Sequence, residues 1–197
     1  MEKDRLEKQI AFILEVDKEK NIFRQTHIHD YARQENDAEH AWHMALMIYL
    51  LKEYANEEID LAKTMMMALI HDVVEIDAGD AYAYDAKAQE NQKEREQKAA
   101  ERIFGLLPND QAQELRSLFE EYEENVTPEA RFARAIDHFQ PMLLNDLNGG
   151  KDWIAHDVCQ SQIMKRQERT KLGSEVIWER AKKIVEENVA KGHVRKE

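Results

Sequence analysis

The stretch TMMMALIHDVVEI at residues 64–76 places His71 and Asp72 inside an apolar run. This run is apolar on nearly every helical face, which is typical of a helix at the centre of a bundle. We therefore predict a central helix over residues 58–76. An ionised aspartate is costly to bury unless it is paired or bound to a metal. The pair thus indicates either a metal site or a buried His–Asp hydrogen bond.

The rest of the chain also has apolar residues at helical spacing, and no segment keeps a strand-like alternation for long. The chain has 197 residues, which suits one domain, and its six glycines and three prolines disfavour a turn-rich β fold. The predicted class is all-α, a single-domain helical bundle over residues 1–197 with about seven to nine helices. Besides the central helix, we predict helices over 4–18, 36–54, 87–102, 108–125, 127–148, 158–170 and 174–190.

Two helix starts are marked by capping residues. Asn36 with Glu39 three positions later has the spacing of a capping box, which predicts the start of the helix that carries His40. Thr127 followed by Pro128 predicts the start of another helix, because proline is favoured at the first helical position. Residues 21–35 form a polar stretch before the His40 helix.

The charge balance limits the possible partners. The formal net charge is −12, and an acidic surface repels nucleic-acid polymers and anionic membranes. The longest apolar run, residues 65–70, is too short to span a membrane, and the charged start lacks an apolar signal segment. The single cysteine, Cys159, cannot form an internal disulfide, which fits a reducing compartment. We predict a soluble, cytoplasmic protein whose substrate is a small molecule.

Four metal-binding side chains fall within three separate predicted helices: His40, His71, Asp72 and Asp137. Helix bundles commonly build metal sites from inward-facing residues on neighbouring helices. Two imidazoles and two carboxylates suit Mn, Fe, Co, Ni or Zn better than Ca. Four ligands leave positions open for water on a six-coordinate ion, as a catalytic site requires.

The order His40, then His71-Asp72, then Asp137 resembles the signature of the HD superfamily of metal-dependent phosphohydrolases. The flanking segments RQENDAEH (33–40), LIHDVVEIDAGD (69–80) and ARAIDHFQP (133–141) are similar to those of bacterial members related to the 5′-deoxynucleotidases. This resemblance spans roughly residues 4–190.

The resemblance implies that the four residues hold one divalent ion, Mn, Co, Mg, Zn, Fe or Ni. It implies hydrolysis of nucleoside 5′-monophosphates, with Glu75 in proton transfer and Asp80 near the substrate and the attacking water. It also implies a homodimer.

Positive charge for the phosphate is expected from Arg24 and Arg33, since the planar guanidinium suits phosphate oxygens. Arg33 matches an arginine shortly before the first ligand in the family, and Arg24 is a looser match. The deoxynucleotidases have a tryptophan beside such an arginine that helps to select the deoxy sugar. This sequence reads FRQT at residues 23–26, so sugar selectivity stays open. His43, one turn beyond His40, is a candidate for orienting that imidazole.

Two other groups of HD proteins differ from this sequence at specific positions. Dinuclear HD phosphodiesterases carry extra histidines between the HD pair and the last aspartate, and residues 73–136 contain none. Alarmone hydrolases show His-Asp-x-x-Glu-Asp, whereas Ile76 follows Glu75 here. The alternatives are action on another nucleotide, cyclic or polyphosphorylated, or a non-catalytic helical scaffold that binds a metal.

Overall fold

The computed structural model of the chain describes residues 2–79 and 91–197. These residues form eleven α-helices, of which eight have eight residues or more, and one two-stranded sheet. The predicted all-α class is confirmed. The helices are α1 (Glu2–Val16), α2 (Asp37–Leu51), α3 (Leu61–Ile70), α4 (Glu75–Ala78), α5 (Gln92–Phe104), α6 (Asn109–Glu124), α7 (Pro128–Leu147), α8 (Lys151–Ala155), α9 (Gln160–Gln167), α10 (Thr170–Gly173) and α11 (Glu175–Ala190). The strands are β1 (Phe23–His27) and β2 (Gln34–Asn36).

The predicted helix starts at Asn36 and Thr127 are confirmed. The Asn36 side chain accepts a hydrogen bond from the Glu39 amide at 3.0 Å, and the Glu39 carboxylate accepts one from the Asn36 amide at 3.2 Å. Both halves of the capping box are therefore formed. Thr127 caps α7, which continues through Pro141 to Leu147.

The central helix is shorter than predicted. It begins after its N-cap Asp60 and ends at Ile70, and the chain then tightens into a turn over residues 71–74. In this turn the Glu75 amide donates to the Asp72 carbonyl at 2.8 Å, so the hydrogen bonds span three residues instead of four. His71 and Asp72 consequently lie in a tight turn between α3 and α4.

The polar stretch before α2 contains a hairpin that the sequence did not predict. β1 and β2 pair antiparallel, and distant side chains hold the turn between them. Asn148 donates to the carbonyls of His27 and Ile28, and Asp152 accepts from the His27 amide at 3.0 Å. The hairpin thus depends on tertiary contacts with the end of α7 and with α8.

Helix α7 packs against α2, α3, α6, α10 and α11. Buried side chains of these helices, including Met44, Met67, Phe132 and Ile136, form the larger apolar cluster. A second cluster joins the 71–74 turn to α5 and α6 through residues such as Val73 and Phe104. The turn that carries His71 and Asp72 is therefore anchored in the second cluster through Val73 and Val74, and it directly follows the helix α3 that packs into the first.

Two further helix predictions differ in detail. The predicted helix over 158–170 is divided into α9 and α10, and α8 was not predicted. The predicted helix over 87–102 corresponds to α5, and the first residues predicted for it lie outside the described ranges. Across residues 2–79 and 91–197, each helix is too short or too polar to cross a bilayer.

Candidate metal centre

Three separate segments bring four metal-binding side chains together. His40 comes from α2, His71 and Asp72 from the turn after α3, and Asp137 from α7. Donor atoms of His40, His71 and Asp72 lie within 4.8 Å of one another. The Oδ1 atom of Asp137 lies 3.2 Å from His40 Nε2 and 3.9 Å from His71 Nε2. Ligands of one ion, each about 2.1 Å from it, lie within about 4 Å of one another. The two distances from Asp137 meet this limit, and the 4.8 Å bound on the other three donor atoms is close to it.

Both imidazoles are oriented by partners on their outer nitrogen. His71 Nδ1 lies 2.9 Å from the Ala68 carbonyl, which only accepts, so this nitrogen donates. His71 Nε2 is buried and faces Asp72 Oδ2 at 3.0 Å and Asp137 Oδ1 at 3.9 Å, without forming a well-aligned hydrogen bond to either. His40 Nδ1 donates to Gln140 Oε1 at 3.0 Å. A buried imidazole nitrogen that is directed at two carboxylates, without a well-aligned hydrogen bond to either, is an arrangement that a bound metal satisfies.

The carboxylates of the cluster are held in the ionised form. Burial alone would raise the pKa of Asp72, but the charges of His71 and Arg24 outweigh it and hold that pKa well below its usual range. Burial likewise opposes ionisation of Asp137, and the hydrogen bond from His40 lowers its pKa well below the usual value. Ionised carboxylates are the form that binds a metal.

In the absence of a metal, both ring nitrogens of His40 are protonated and the imidazole is positively charged. Burial and the charge of Arg24 lower its pKa, but its contacts with Asp137 and Glu35 outweigh them and raise the pKa to about 9. A ligand imidazole must be neutral at the coordinating nitrogen, so metal binding is expected to release this proton.

The two predicted phosphate-binding arginines are placed differently. Arg24 lies on β1 at the cluster, with Nη1 2.7 Å from Asp72 Oδ2 and 3.3 Å from Asp37 Oδ1. Arg33 pairs with Glu39 at 2.8 Å on the outside of α2 and does not line the cavity beside the cluster. The structure brings Arg24 into the site and leaves Arg33 out, because the capping residue Glu39 holds it at the surface.

Glu75 is the first residue of α4 and lines the same cavity as Asp72 and Asp137. Its side chain is half-buried. The structure therefore places Glu75 at the wall of this cavity, on a tightened turn instead of the continuous helix that the prediction assumed. Asp80 lies outside the described residues.

A cavity of about 480 Å³ opens beside the cluster. Its apolar wall includes Phe119, Met142, Trp153 and Ile163. Positive side chains also line it, namely Arg24, Lys93, Arg134, Arg166 and Arg169. The cavity thus combines apolar surface with positive side chains and with carboxylates, among them Asp72, Glu75 and Asp137.

Sequence reasoning missed two residues that contact the cluster. Gln140 binds His40 and lies three positions after Asp137, so helical spacing could have found it. Tyr122 donates to Asp137 Oδ2 at 3.1 Å, and no sequence signal indicated it. Within the described part of the chain, Gln140 links His43 to His40, with Gln140 Nε2 3.1 Å from His43 Nδ1 and Gln140 Oε1 3.0 Å from His40 Nδ1.

Known proteins match both the fold and the cluster-bearing segments. The HD-domain family profile matches residues 16–178. A solved structure from Magnetospirillum magnetotacticum, named a predicted metal-dependent phosphohydrolase, is 45% identical, with a TM-score of 0.94 over 98% of this chain and 96% of that one.

Curated relatives match a shorter region. A human 5′-deoxynucleotidase is 32% identical over 111 residues, which cover 56% of this chain and 53% of the human protein. A 5′-deoxynucleotidase from Schizosaccharomyces pombe is 28% identical over 116 residues, 57% of each chain. The chain therefore spans about half the length of the curated relatives it matches.

Proposed function

The chain belongs to the HD-domain family, and we propose that it is a metal-dependent phosphohydrolase that removes phosphate from nucleoside 5′-monophosphates. One divalent ion is held by His40, His71, Asp72 and Asp137. The observation that carries this proposal is the convergence of these four side chains at the wall of a cavity, with the buried His71 Nε2 directed at the carboxylates of Asp72 and Asp137. The names of the relatives support the same reaction class.

The donor set of two imidazoles and two carboxylates suits Mn, Co, Fe, Ni or Zn, and Mg through its carboxylates. A divalent metal bound there supplies Lewis-acid polarisation of a phosphoryl oxygen and lowers the pKa of bound water.

The residues around the ion divide the remaining work. Glu75 faces the cavity half-buried, where a carboxylate can accept a proton from the attacking water and return one to the leaving oxygen. Arg24 bridges Asp72 and Asp37, so it orients the carboxylate ligand in addition to facing the cavity. For Asp80 we propose a role near the substrate and the attacking water, which the resemblance to the HD family supports.

The activity is tested by phosphate release from a panel of nucleoside monophosphates that includes AMP and dAMP. The protein is first treated with a chelator, and Mn, Co or Mg is then restored. We expect release above the metal-only blank. The ratio of dAMP to AMP turnover reports sugar selectivity. No release with any nucleotide or metal would contradict the proposal and favour a metal-binding scaffold.

Substitution Glu75→Gln tests the proton-transfer role. We expect retained metal content and a loss of activity of ~100-fold or more, because general acid–base catalysis contributes about that much. Asp77→Asn is the matched control, since Asp77 lies on the same helix but pairs with Arg102 at the surface. Loss of metal from Glu75→Gln would instead place Glu75 among the ligands, and unchanged activity would remove it from the mechanism.

We also propose that residues 1–197 form one HD domain that assembles as a homodimer in the cytoplasm. The dimer is supported by apolar side chains left exposed on two helices, Ile13 (65%) and Leu14 (66%) on α1 and Trp42 (65%) and Leu50 (59%) on α2. Light scattering should give twice the chain mass, and a monomer would contradict the assembly. Limited proteolysis tests the single domain, and cell fractionation tests the compartment.

A further inference from the structure

The positive side chains that line the cavity differ in whether a carboxylate neutralises them. Arg24 is paired with Asp72 and with Asp37. Arg134 donates to Glu123 at 2.9 Å, and its guanidinium stacks on the ring of Tyr122. Both of these charges are therefore balanced within the protein.

Arg166 and Arg169 line the same cavity without such a partner. Within residues 2–79 and 91–197, neither guanidinium has a carboxylate within 4.0 Å. Lys93 also lines the cavity without a carboxylate partner among the described residues, but it lies on α5, whereas Arg166 and Arg169 are three positions apart in sequence. Their charge is available to an anion that enters the cavity.

These arginines are held in place by a buried anchor. Gln167, between them in sequence, donates to the carbonyl of His138 at 2.7 Å, and Thr170 donates to the Gln167 side-chain oxygen at 2.8 Å. Gln167 and Thr170 are 2% and 0% exposed. His138 directly follows Asp137, so the anchor fixes the backbone that carries the arginines beside the helix of a proposed metal ligand.

We propose that Arg166 and Arg169 form an anion subsite that binds the phosphate group of the nucleotide substrate. This inference rests on the proposed function and names residues that the sequence motifs do not include. A phosphate monoester is dianionic near neutral pH, and carboxylates, among them Asp72, Glu75 and Asp137, also line the cavity. Arg24 is already balanced by Asp72 and Asp37, so binding a dianion requires further positive charge, and paired guanidinium groups suit phosphate oxygens.

Inorganic phosphate is the probe for this subsite. Arg166→Gln and Arg169→Gln are compared with Lys165→Gln, which removes the same charge from an exposed position on α9 that does not line the cavity. We expect each arginine variant to bind phosphate about tenfold more weakly, as for loss of one charged hydrogen bond, with a matching rise in KM and unchanged metal content. Phosphate affinity equal to that of Lys165→Gln would overturn the proposal.

A second measurement uses the unaltered protein and does not depend on how the variants fold. Phenylglyoxal modifies accessible arginines, and mass spectrometry gives the rate at each site. We expect phosphate to slow modification of Arg166 and Arg169 but not of Arg180, an exposed residue of α11 outside the cavity. Equal rates with and without phosphate at Arg166 and Arg169 would overturn the subsite.

These outcomes separate the subsite from the activity. Protection by phosphate in a protein that hydrolyses no nucleotide would leave the subsite standing and contradict the proposed function. Hydrolysis of a nucleotide by a protein in which phosphate protects neither arginine would contradict the subsite and leave the proposed function standing.

Discussion

Gln140 links the proposed ligand His40 to the hairpin that precedes α2. Its side-chain oxygen accepts from His40 Nδ1 at 3.0 Å, and its NH2 group donates to Glu35 Oε1 at 2.6 Å. Both directions are fixed, because the Glu35 carboxylate can only accept. Gln140 is 0% exposed, so water cannot replace it without rearrangement. The His40 ring therefore keeps Nε2 directed at the cluster.

Gln140→Met removes these hydrogen bonds while nearly conserving volume. We expect metal affinity to fall by ~10- to 100-fold, the usual cost of losing a partner that orients a ligand. Titration with a fluorescent metal indicator measures it. Asn188→Leu is the control, since it removes a comparably buried amide on α11, away from the cluster. Equal metal affinity in the two variants would show that Gln140 does not orient His40.

Glu19 gives a pH-dependent prediction. Burial, and then the charges of Asp72 and Asp37, raise its pKa from 4.5 to about 8. The folded chain then holds this proton more tightly than the unfolded chain does, so the contribution of Glu19 to the free energy of unfolding falls as pH rises from 4.5 to about 8.

Glu19→Gln cannot ionise, so we expect the chelated variant to be more stable than the chelated parent protein at pH 8.5. The difference in the free energy of unfolding between the variant and the parent protein should become smaller toward pH 5. Urea unfolding at several pH values measures it, with the exposed Glu7→Gln as control. A gap that is independent of pH, or no gap, would contradict the assignment.

At the scale of elements, the sequence predicted the helices that carry the proposed ligands but not the geometry between them. The apolar run before His71 indicated a buried helix, and the structure contains it. After Ile70, however, the backbone hydrogen bonds span three residues instead of four. Helical spacing cannot distinguish an α-helix from such a tightened turn over a few residues. The hairpin was not predicted because its stabilising partners, such as Asn148, lie more than a hundred residues away.

Capping of α2 should matter more for the metal than capping elsewhere. Asn36→Ala and Ser174→Ala each remove a side-chain cap, from α2 and α11 respectively. Each is expected to cost about 1 kcal/mol in the free energy of unfolding. Only Asn36→Ala should also weaken metal binding, because His40 lies in the first turns of α2. Equal metal affinity in both variants would show that the cap of α2 does not influence metal binding.

At the scale of the whole molecule, residues 40, 71–72 and 137 meet because α2, α3 and α7 pack against one another. The residue types offered these side chains as candidates, and the resemblance to the HD signature predicted that they meet at one site. The far wall of the cavity was not predictable in the same way. Arg166 and Arg169 look like solvated helix residues in the sequence, and the packing of α9 and α10 on α7 brings them to the cavity.

Anomalous diffraction from crystals of the manganese-loaded protein tests the central claim most directly. We predict one anomalous peak per chain, at about 2.0–2.2 Å from His40 Nε2, His71 Nε2 and a carboxylate oxygen each of Asp72 and Asp137. A peak coordinated by other residues, two peaks at the cluster, or none there would contradict the account.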